Sequence, residues 1–227
     1  MNKNILITGT SSGIGKATVY EFANRGWNVI ATQRNPETET DFNQYPNVKL
    51  YALDVTNLAS VQMAMSFAQK EFGKIDVVVN NAGYGVDGTF EAMSDEIIEK
   101  QFNTNVFGLM RVTREAIQMM RPKGGGTIIQ ISSMGGKITF PLYSIYHATK
   151  FAVEGFTESL HYELNQFNIK MKHQFRTYSF WLFANNKRIN QDIVDKTIMT
   201  AKFMEISGDL DVDIAFQEDN MYRRNRR

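Results

Sequence analysis

Short apolar runs alternate along the chain with longer stretches in which apolar residues recur at helical spacing. Runs that are apolar throughout are typical of parallel strands covered on both faces. The pattern therefore predicts a parallel sheet between two layers of helices. The predicted strands are Asn4 to Thr8, Trp27 to Thr32, Val48 to Leu53, Ile75 to Val79 and Ile128 to Ile131.

The helical spacing lies between these runs. It predicts helices at Lys16 to Asn24, at Leu58 to Phe72, from Ser94 to the Lys123-Gly124 stop, and from Tyr146 onwards. Because strands and helices alternate, we expect an α/β protein with a doubly wound, Rossmann-like parallel sheet in three αβα layers.

Composition and charge narrow the class of protein. At 227 residues and 43% hydrophobic, the chain can bury a full core, and a single domain is the default. A net charge of +1 argues against a general affinity for nucleic acid or for acidic membranes. The chain has no cysteine, no secretion signal and no membrane-length apolar segment, so we expect it to be cytoplasmic and not bound to a membrane. The histidines show no metal-ligand spacing with carboxylates, so no metal site is predicted.

A glycine-rich loop joins the first strand to the first helix. Glycines at this place let the backbone approach a pyrophosphate, and the helix N-terminus offers unpaired N–H groups and a partial positive charge. The loop by itself is equally compatible with a tight turn that binds nothing. The candidate cofactor-binding residues of the loop are Gly9, Thr10, Ser11, Ser12, Gly13, Ile14 and Gly15.

The end of the second strand bears on which dinucleotide fits. An acidic residue there would bind a ribose 2′-hydroxyl, but the chain has Gln33 followed by Arg34. No carboxylate repels a 2′-phosphate at these positions, and a guanidinium is available to pair with it. We therefore expect NADP(H) as cofactor, with NAD less favoured, while a solvated surface arginine is the alternative interpretation.

Three polar residues in the second half of the chain suggest acid/base chemistry. Ser133 follows a buried strand, and Tyr146 and Lys150 lie one turn apart on a predicted helix. An ammonium beside a phenol favours the phenolate, and a hydroxyl can hold a substrate oxygen by a hydrogen bond. Such a pair on a helix is usually without function when it stands alone, because a single short motif matches by chance.

Taken together, the motifs resemble those of the short-chain dehydrogenase/reductase family from Lys3 to about Lys170. They are Thr8-Gly-Thr-Ser-Ser-Gly-Ile-Gly15, Asn80-Asn-Ala-Gly83, Asn105, Ser133 and Tyr146-x-x-x-Lys150. The resemblance implies that Tyr146 is the acid/base, that Lys150 assists it and binds the nicotinamide ribose, and that Ser133 orients the substrate. It also implies that Asn105 helps to hold a water that passes protons to the lysine.

The resemblance extends to the cofactor contacts beyond the glycine loop. It implies that Asp54, which is followed by Val55, binds the adenine amino group. In the same way, the small residues of the second motif would let the ribose lie close to the backbone. These further candidate residues are Asp54, Val55, Asn81, Ala82 and Gly83.

The family resemblance implies reversible hydride transfer between NADP(H) and a secondary alcohol or carbonyl substrate. The motifs look most like the branch that acts on hydroxysteroid-, retinol- or similar lipophilic compounds, and members of the family are usually homodimers or homotetramers. A nucleotide-sugar epimerase or dehydratase is less favoured, because its glycine spacing differs from that of Gly9, Gly13 and Gly15.

The pattern weakens after Lys170, and the alternation of Ile169, Met171, His173 and Phe175 allows only an edge-like strand. The family's sixth apolar strand and a later Pro-Gly are not evident, so we expect a catalytic domain over 1–171 and a divergent tail over 172–227. A change of coding frame and a genuine divergent lid or partner surface are both compatible with this tail. A dinucleotide-binding protein without turnover is the alternative function.

Overall fold

The structure, a computed structural model, describes residues 2–174 of the chain. The expected tail falls almost entirely outside the described residues. The described part consists of parallel strands and the helices between them. The strands are β1 Asn4–Thr8, β2 Asn28–Gln33, β3 Val48–Ala52, β4 Val77–Asn80, β5 Gly126–Ile131 and β6 Ile169–Gln174, and the helices are α1 Gly13–Asn24, α2 Leu58–Phe72, α3 Asp95–Phe102, α4 Leu109–Met120 and α5 Ser144–Leu164.

The strands form one six-stranded sheet in the order β3-β2-β1-β4-β5-β6. Every neighbouring pair is parallel, and Ile7 on β1 lies between Ala31 on β2 and Val79 on β4. The chain winds outwards from β1 to β3 and then returns to the other side of β1 to continue with β4. The strand order thus reverses at the carboxyl ends of β1 and β4, and doubly wound sheets bind ligands in a crevice at such a point. The predicted fold class is confirmed.

Both faces of the sheet are buried, as the uniformly apolar strands predict. Leu6 on β1 points into the core formed with α2, α4 and α5, while its neighbours Ile5 and Ile7 point into the core formed with α1. All three side chains are fully buried. The rigid centre of the sheet therefore holds the loops that follow β1 and β4 in a fixed relation to each other.

β6 corrects one expectation from the sequence. It pairs with β5 as a parallel strand over Ile169–Gln174, so the described residues do include a sixth strand. Its alternation arises because one face packs into the core through Ile169 and Met171, while Lys170 is exposed. A strand with one buried face lacks the uniformly apolar run by which the inner strands are recognised.

Candidate active site

The loop after β4 is hydrogen-bonded to the end of β1. The side-chain amide of Asn81 donates to the carbonyl oxygens of Thr8 and Gly9 at 2.9 and 2.8 Å. The backbone N–H groups of Asn81 and Ala82 donate to the Thr8 hydroxyl at 3.0 and 3.1 Å. These contacts fix one wall of the crevice to the other, and sequence reasoning did not identify Thr8 as their common partner.

The glycines of the first loop meet three different requirements. Gly9 has a φ of +70°, and a Cβ there would lie 2.8 Å from the Cα of Ala82. A Cβ on Gly15 would overlap the carbonyl oxygen of Gly9 and the amide nitrogen of Asn81. Gly13 has a φ of +56° but opens onto empty space, with no atom within 4 Å of an added Cβ. The loop is thus packed tightly at Gly9 and Gly15 and is open at Gly13.

This open side fits the diphosphate of a dinucleotide. Helix α1 begins at Gly13, and its first turn contains no acidic residue that would repel an anion. Ser11 and Ser12 are exposed beside it, and Ile14 is half-buried. Thr10 is different, because its buried hydroxyl donates to the carbonyl oxygen of Thr32 at 3.2 Å and so ties the loop to β2.

The residues expected at the adenine end lie at the carboxyl ends of β2 and β3. Gln33 is buried and its side-chain oxygen lies 3.4 Å from the Thr10 hydroxyl, whereas Arg34 is exposed. Asp54 accepts hydrogen bonds from the backbone N–H and the hydroxyl of Thr56 at 2.9 and 2.7 Å, which holds its carboxylate in place. Val55 is buried at the same sheet edge.

A widened helical turn separates α3 from α4, where the sequence predicts one continuous helix. The turn is a π-helix over Asn103–Gly108 with Asn105 buried inside it, and such turns are frequent at functional sites. The Asn105 side chain accepts from the N–H of Tyr84 at 3.0 Å and donates to the Tyr84 carbonyl at 2.7 Å and to the Thr149 hydroxyl at 3.2 Å. Asn105 therefore joins the loop after β4 to helix α5.

Ser133 follows the end of β5, and Tyr146 and Lys150 lie in the first two turns of α5. The buried Lys150 ammonium donates to the carbonyl oxygen of Ile131 at 2.8 Å and lies 5.8 Å from the centroid of the Tyr146 ring. The Ser133 hydroxyl accepts from the N–H of Gly135 at 3.0 Å. Tyr146 is half-buried, so part of its side chain is accessible to solvent. A phenol, an ammonium and a hydroxyl in this arrangement can move a proton at a substrate oxygen.

A buried carboxylate that sequence reasoning missed lies behind this trio. Glu154 is 4% exposed and one turn beyond Lys150, and its Oε2 lies 2.7 Å from His173 Nδ1 and 3.3 Å from Lys137 Nζ. Burial raises the pKa of Glu154, but the interactions with His173, Ser132 and Lys137 together outweigh burial and hold it below its usual value. The cluster joins α5 to β6 and to the loop after β5.

Replacing Glu154 by glutamine is expected to lower the free energy of unfolding by about 1–3 kcal/mol at pH 7, the usual range for a charge-assisted hydrogen bond. The folded state lowers this pKa, so the carboxylate stabilises the fold above the usual value of 4.5 and loses that effect as the pH falls below it. The unfolding free energies of the wild type and the variant, measured with urea from pH 7 to pH 3, should therefore converge as the pH falls. Glu158 is exposed on the same helix, so Glu158→Gln is the control and should have little effect on stability. A difference in unfolding free energy between the wild type and Glu154→Gln that stays constant at every pH would contradict the stabilising role of the Glu154 carboxylate.

Between residues 2 and 174 no helix is long and apolar enough to cross a membrane. Over the same residues no group of three or more His, Cys, Asp or Glu side chains is placed to hold a metal ion.

Comparison with known proteins shows the family to which the chain belongs. The sequence matches the short chain dehydrogenase family over residues 3–173. Because this match covers well over half of the chain, the protein belongs to that family. The fold agrees with the resemblance that the motifs suggested.

The chain is also similar to individual proteins of known sequence or structure. It is 43% identical to an uncharacterized oxidoreductase of Schizosaccharomyces pombe over 162 residues, which are 71% of this chain and 55% of that protein. It is 36% identical to the 3-ketodihydrosphingosine reductase of Bacteroides thetaiotaomicron over 211 residues, covering 88% of this chain and 75% of that protein. The second alignment is longer than the family match and so includes part of the segment after residue 173. The solved structure of ElxO with NADP bound has a TM-score of 0.75 and 33% identity, and the match covers 90% of this chain and 81% of that one.

Proposed function

We propose that this protein is an NADP(H)-dependent oxidoreductase that transfers a hydride between the nicotinamide and a secondary alcohol or ketone. The observation that carries the proposal is that Lys150 lies beside the Tyr146 ring, while Ser133 is hydrogen-bonded to Gly135, which packs against the same ring, at the carboxyl edge of the sheet. The cofactor, when bound, supplies or accepts the hydride.

The side chains divide the proton chemistry between them. Tyr146 donates a proton to the carbonyl oxygen during reduction and accepts it during oxidation. The Lys150 ammonium stabilises the phenolate, since an adjacent positive charge favours the ionised form. Ser133 already accepts a hydrogen bond from Gly135, so its own hydroxyl proton remains to be donated to the substrate oxygen.

For Asn105 the contacts support a positioning role. Its side-chain amide is engaged with Tyr84 and Thr149, so it holds the loop after β4 against the helix that carries Tyr146. A relay of protons to Lys150, which the family resemblance implies, would then use main-chain atoms of the π-helical turn and not the amide.

The dinucleotide preference rests on Arg34. Lys16, the other cation near the glycine loop, pairs with Glu39 at 2.9 Å and also with Asp41. Burial lowers the pKa of Lys16, but these hydrogen bonds raise it well above its usual range, so the side chain stays charged and committed to the two carboxylates. Arg34, exposed at the end of β2, is the cation placed to pair with a 2′-phosphate.

Replacing Arg34 by alanine is expected to weaken NADPH binding by about 10-fold, equivalent to a charge-assisted hydrogen bond of about 1.5 kcal/mol, and to leave NADH binding unchanged. Fluorescence titration with each cofactor measures both constants. Lys123→Ala removes the same charge at the opposite edge of the sheet and is the control. Equal losses for NADPH and NADH, or tighter binding of NADH by the wild type, would contradict the preference.

A lipophilic substrate is supported by the loops that border the site. The loops after β4 and β5 expose Tyr84, Phe90, Ile138 and Leu142 to 37%, 63%, 50% and 55%. Backbone contact joins the two loops, because the Gly88 N–H donates to the Leu142 carbonyl at 2.8 Å. Exposed apolar residues grouped around a site favour an apolar ligand. The similar protein from Bacteroides thetaiotaomicron is named 3-ketodihydrosphingosine reductase.

The proposal is tested by following NADPH oxidation with a series of ketones of increasing alkyl length. We expect turnover, and kcat/KM rising with chain length as more apolar surface is buried. Saturable NADPH binding without turnover of any ketone would instead support a dinucleotide-binding protein. The homodimer or homotetramer expected for the family stays a prediction.

A further inference from the structure

His147 follows Tyr146 in the sequence and is only 5% exposed. Both of its ring nitrogens contact the backbone of the loop after β5. Nδ1 lies 2.8 Å from the carbonyl oxygen of Gly135, and Nε2 accepts from the backbone N–H of Phe140 at 2.9 Å. A single imidazole thus holds both sides of the loop that runs from Ser133 towards α5.

The two backbone partners determine the protonation state of the ring. A carbonyl oxygen can only accept a hydrogen bond, so Nδ1 must carry a proton towards Gly135. The N–H of Phe140 can only donate, so Nε2 must be unprotonated. His147 is therefore a neutral imidazole with its proton on Nδ1, and a second proton would place a donor against a donor.

Gly135 connects this imidazole to the site. Its carbonyl accepts from His147, and its N–H donates to the Ser133 hydroxyl at 3.0 Å. The space around Gly135 is filled, because an added Cβ would lie 2.6 Å from His147 Nδ1 and 3.3 Å from Cε1 of Tyr146. The Ser133 hydroxyl is therefore oriented by a glycine that packs against both Tyr146 and His147.

We propose that neutral His147 is a positioning residue that sets the Ser133 hydroxyl against Tyr146, and that protonation of its ring releases the loop and lowers activity on acidification. The inference rests on the proposed oxidoreductase function for its kinetic part only. A protonated ring would lose the Phe140 hydrogen bond and bury a charge, and both changes disfavour the closed loop.

The titratable groups around the ring do not supply a counter-charge for that second proton. The rings of Tyr143, just before helix α5, and of Tyr146, on the helix, lie 6.2 and 6.1 Å from the His147 ring, and Lys150 donates to the carbonyl oxygen of Ile131. In the facing loop Lys137 is paired with Glu154, which is further engaged with His173 from β6. The neighbouring carboxylate thus already contacts Lys137 and His173 through its Oε2.

The test compares His147→Ala, which removes both hydrogen bonds, with His147→Asn, whose amide can still donate to Gly135 but does not titrate. At pH 7.5 we expect kcat/KM for the ketone to fall about 10- to 100-fold in the alanine variant, the effect of a misplaced site, and to be partly restored in the asparagine variant. NADPH affinity should be unchanged in both, which also shows that they fold.

The pH profile separates positioning from a purely structural role. Wild-type kcat/KM should fall on acidification, and this acid limb should be absent from His147→Asn. An identical acid limb in the wild type and His147→Asn, or an unchanged kcat/KM in His147→Ala, would overturn the proposal.

An independent readout does not require turnover. Nitrogen-15 NMR of histidine-labelled protein, with the His147 signal assigned by its loss in His147→Asn, should show the neutral Nδ1–H tautomer at pH 7.5. The Nε2–H tautomer or a charged ring at that pH would overturn the inference. If the wild type shows the expected tautomer but reduces no ketone, the proposed function fails and the His147 assignment does not.

Discussion

Replacement of Tyr146 by phenylalanine is expected to lower kcat by about 10²- to 10⁴-fold, the usual contribution of a positioned general acid or base. The change removes only the hydroxyl. The ring keeps its packing against Gly85 and Gly135, whose added Cβ atoms would lie 3.4 and 3.3 Å from it. NADPH affinity and the melting temperature should therefore stay close to those of the wild type.

Single-turnover oxidation of bound NADPH by a ketone measures this effect, because it separates the chemical step from product release. Tyr162→Phe is the matched control, since Tyr162 is on the same helix but 74% exposed to solvent. We expect that control to keep full activity. A Tyr146→Phe enzyme within about threefold of the wild-type rate would show that another group transfers the proton.

Replacement of Gly15 by alanine is expected to destabilise the fold by about 3 kcal/mol, at the upper end of the range for overpacking, and to abolish cofactor binding. The added methyl group would overlap the Gly9 carbonyl oxygen and the Asn81 amide nitrogen. Neither atom can move alone, because the side-chain amide of Asn81 is hydrogen-bonded to the carbonyl oxygens of Thr8 and Gly9. Relief of the overlap must separate the walls of the crevice.

Urea unfolding with and without NADPH measures both parts of this prediction. Gly155→Ala is the control, because Gly155 is in helix α5 and an alanine Cβ there would meet no atom within 4 Å. That substitution should stabilise the helix by about 0.5–1 kcal/mol, since alanine is the better helix former. Equal stability of Gly15→Ala and Gly155→Ala would contradict the predicted overlap at Gly15. Stabilisation of Gly15→Ala against urea by NADPH would contradict the predicted loss of cofactor binding.

Elements with strong local signals were predicted accurately. Strand β1 and helix α2 have the same bounds in the sequence prediction and in the structure. For α2 both ends are set locally, since the Asn57 side chain accepts from the N–H of Ser60 at the start and Gly73 ends the helix with a φ of +73°. Such caps depend on residues within a few positions, so a sequence pattern can show them.

The π-helical turn over Asn103–Gly108 had no such signal. Its apolar spacing continues that of the flanking helices, so the sequence predicts one uninterrupted helix. The buried Asn105 is held there by Tyr84 and Thr149, which are distant in the chain. A Cβ on Gly108 would lie 2.7 Å from Val55, so the helix also approaches the loop after β3 closely. These contacts form only when the sheet is assembled.

The sequence by itself determined the fold class, the family, and the order of the groups proposed to do the chemistry, because apolar period and motif spacing are local properties of the chain. Only the tertiary structure decided how those groups are held. The contacts between His147 and Gly135 and between Glu154 and His173 join residues from separate elements. Their partners are chosen by the packing of α5 on β5 and β6, and no pattern along the chain records that choice.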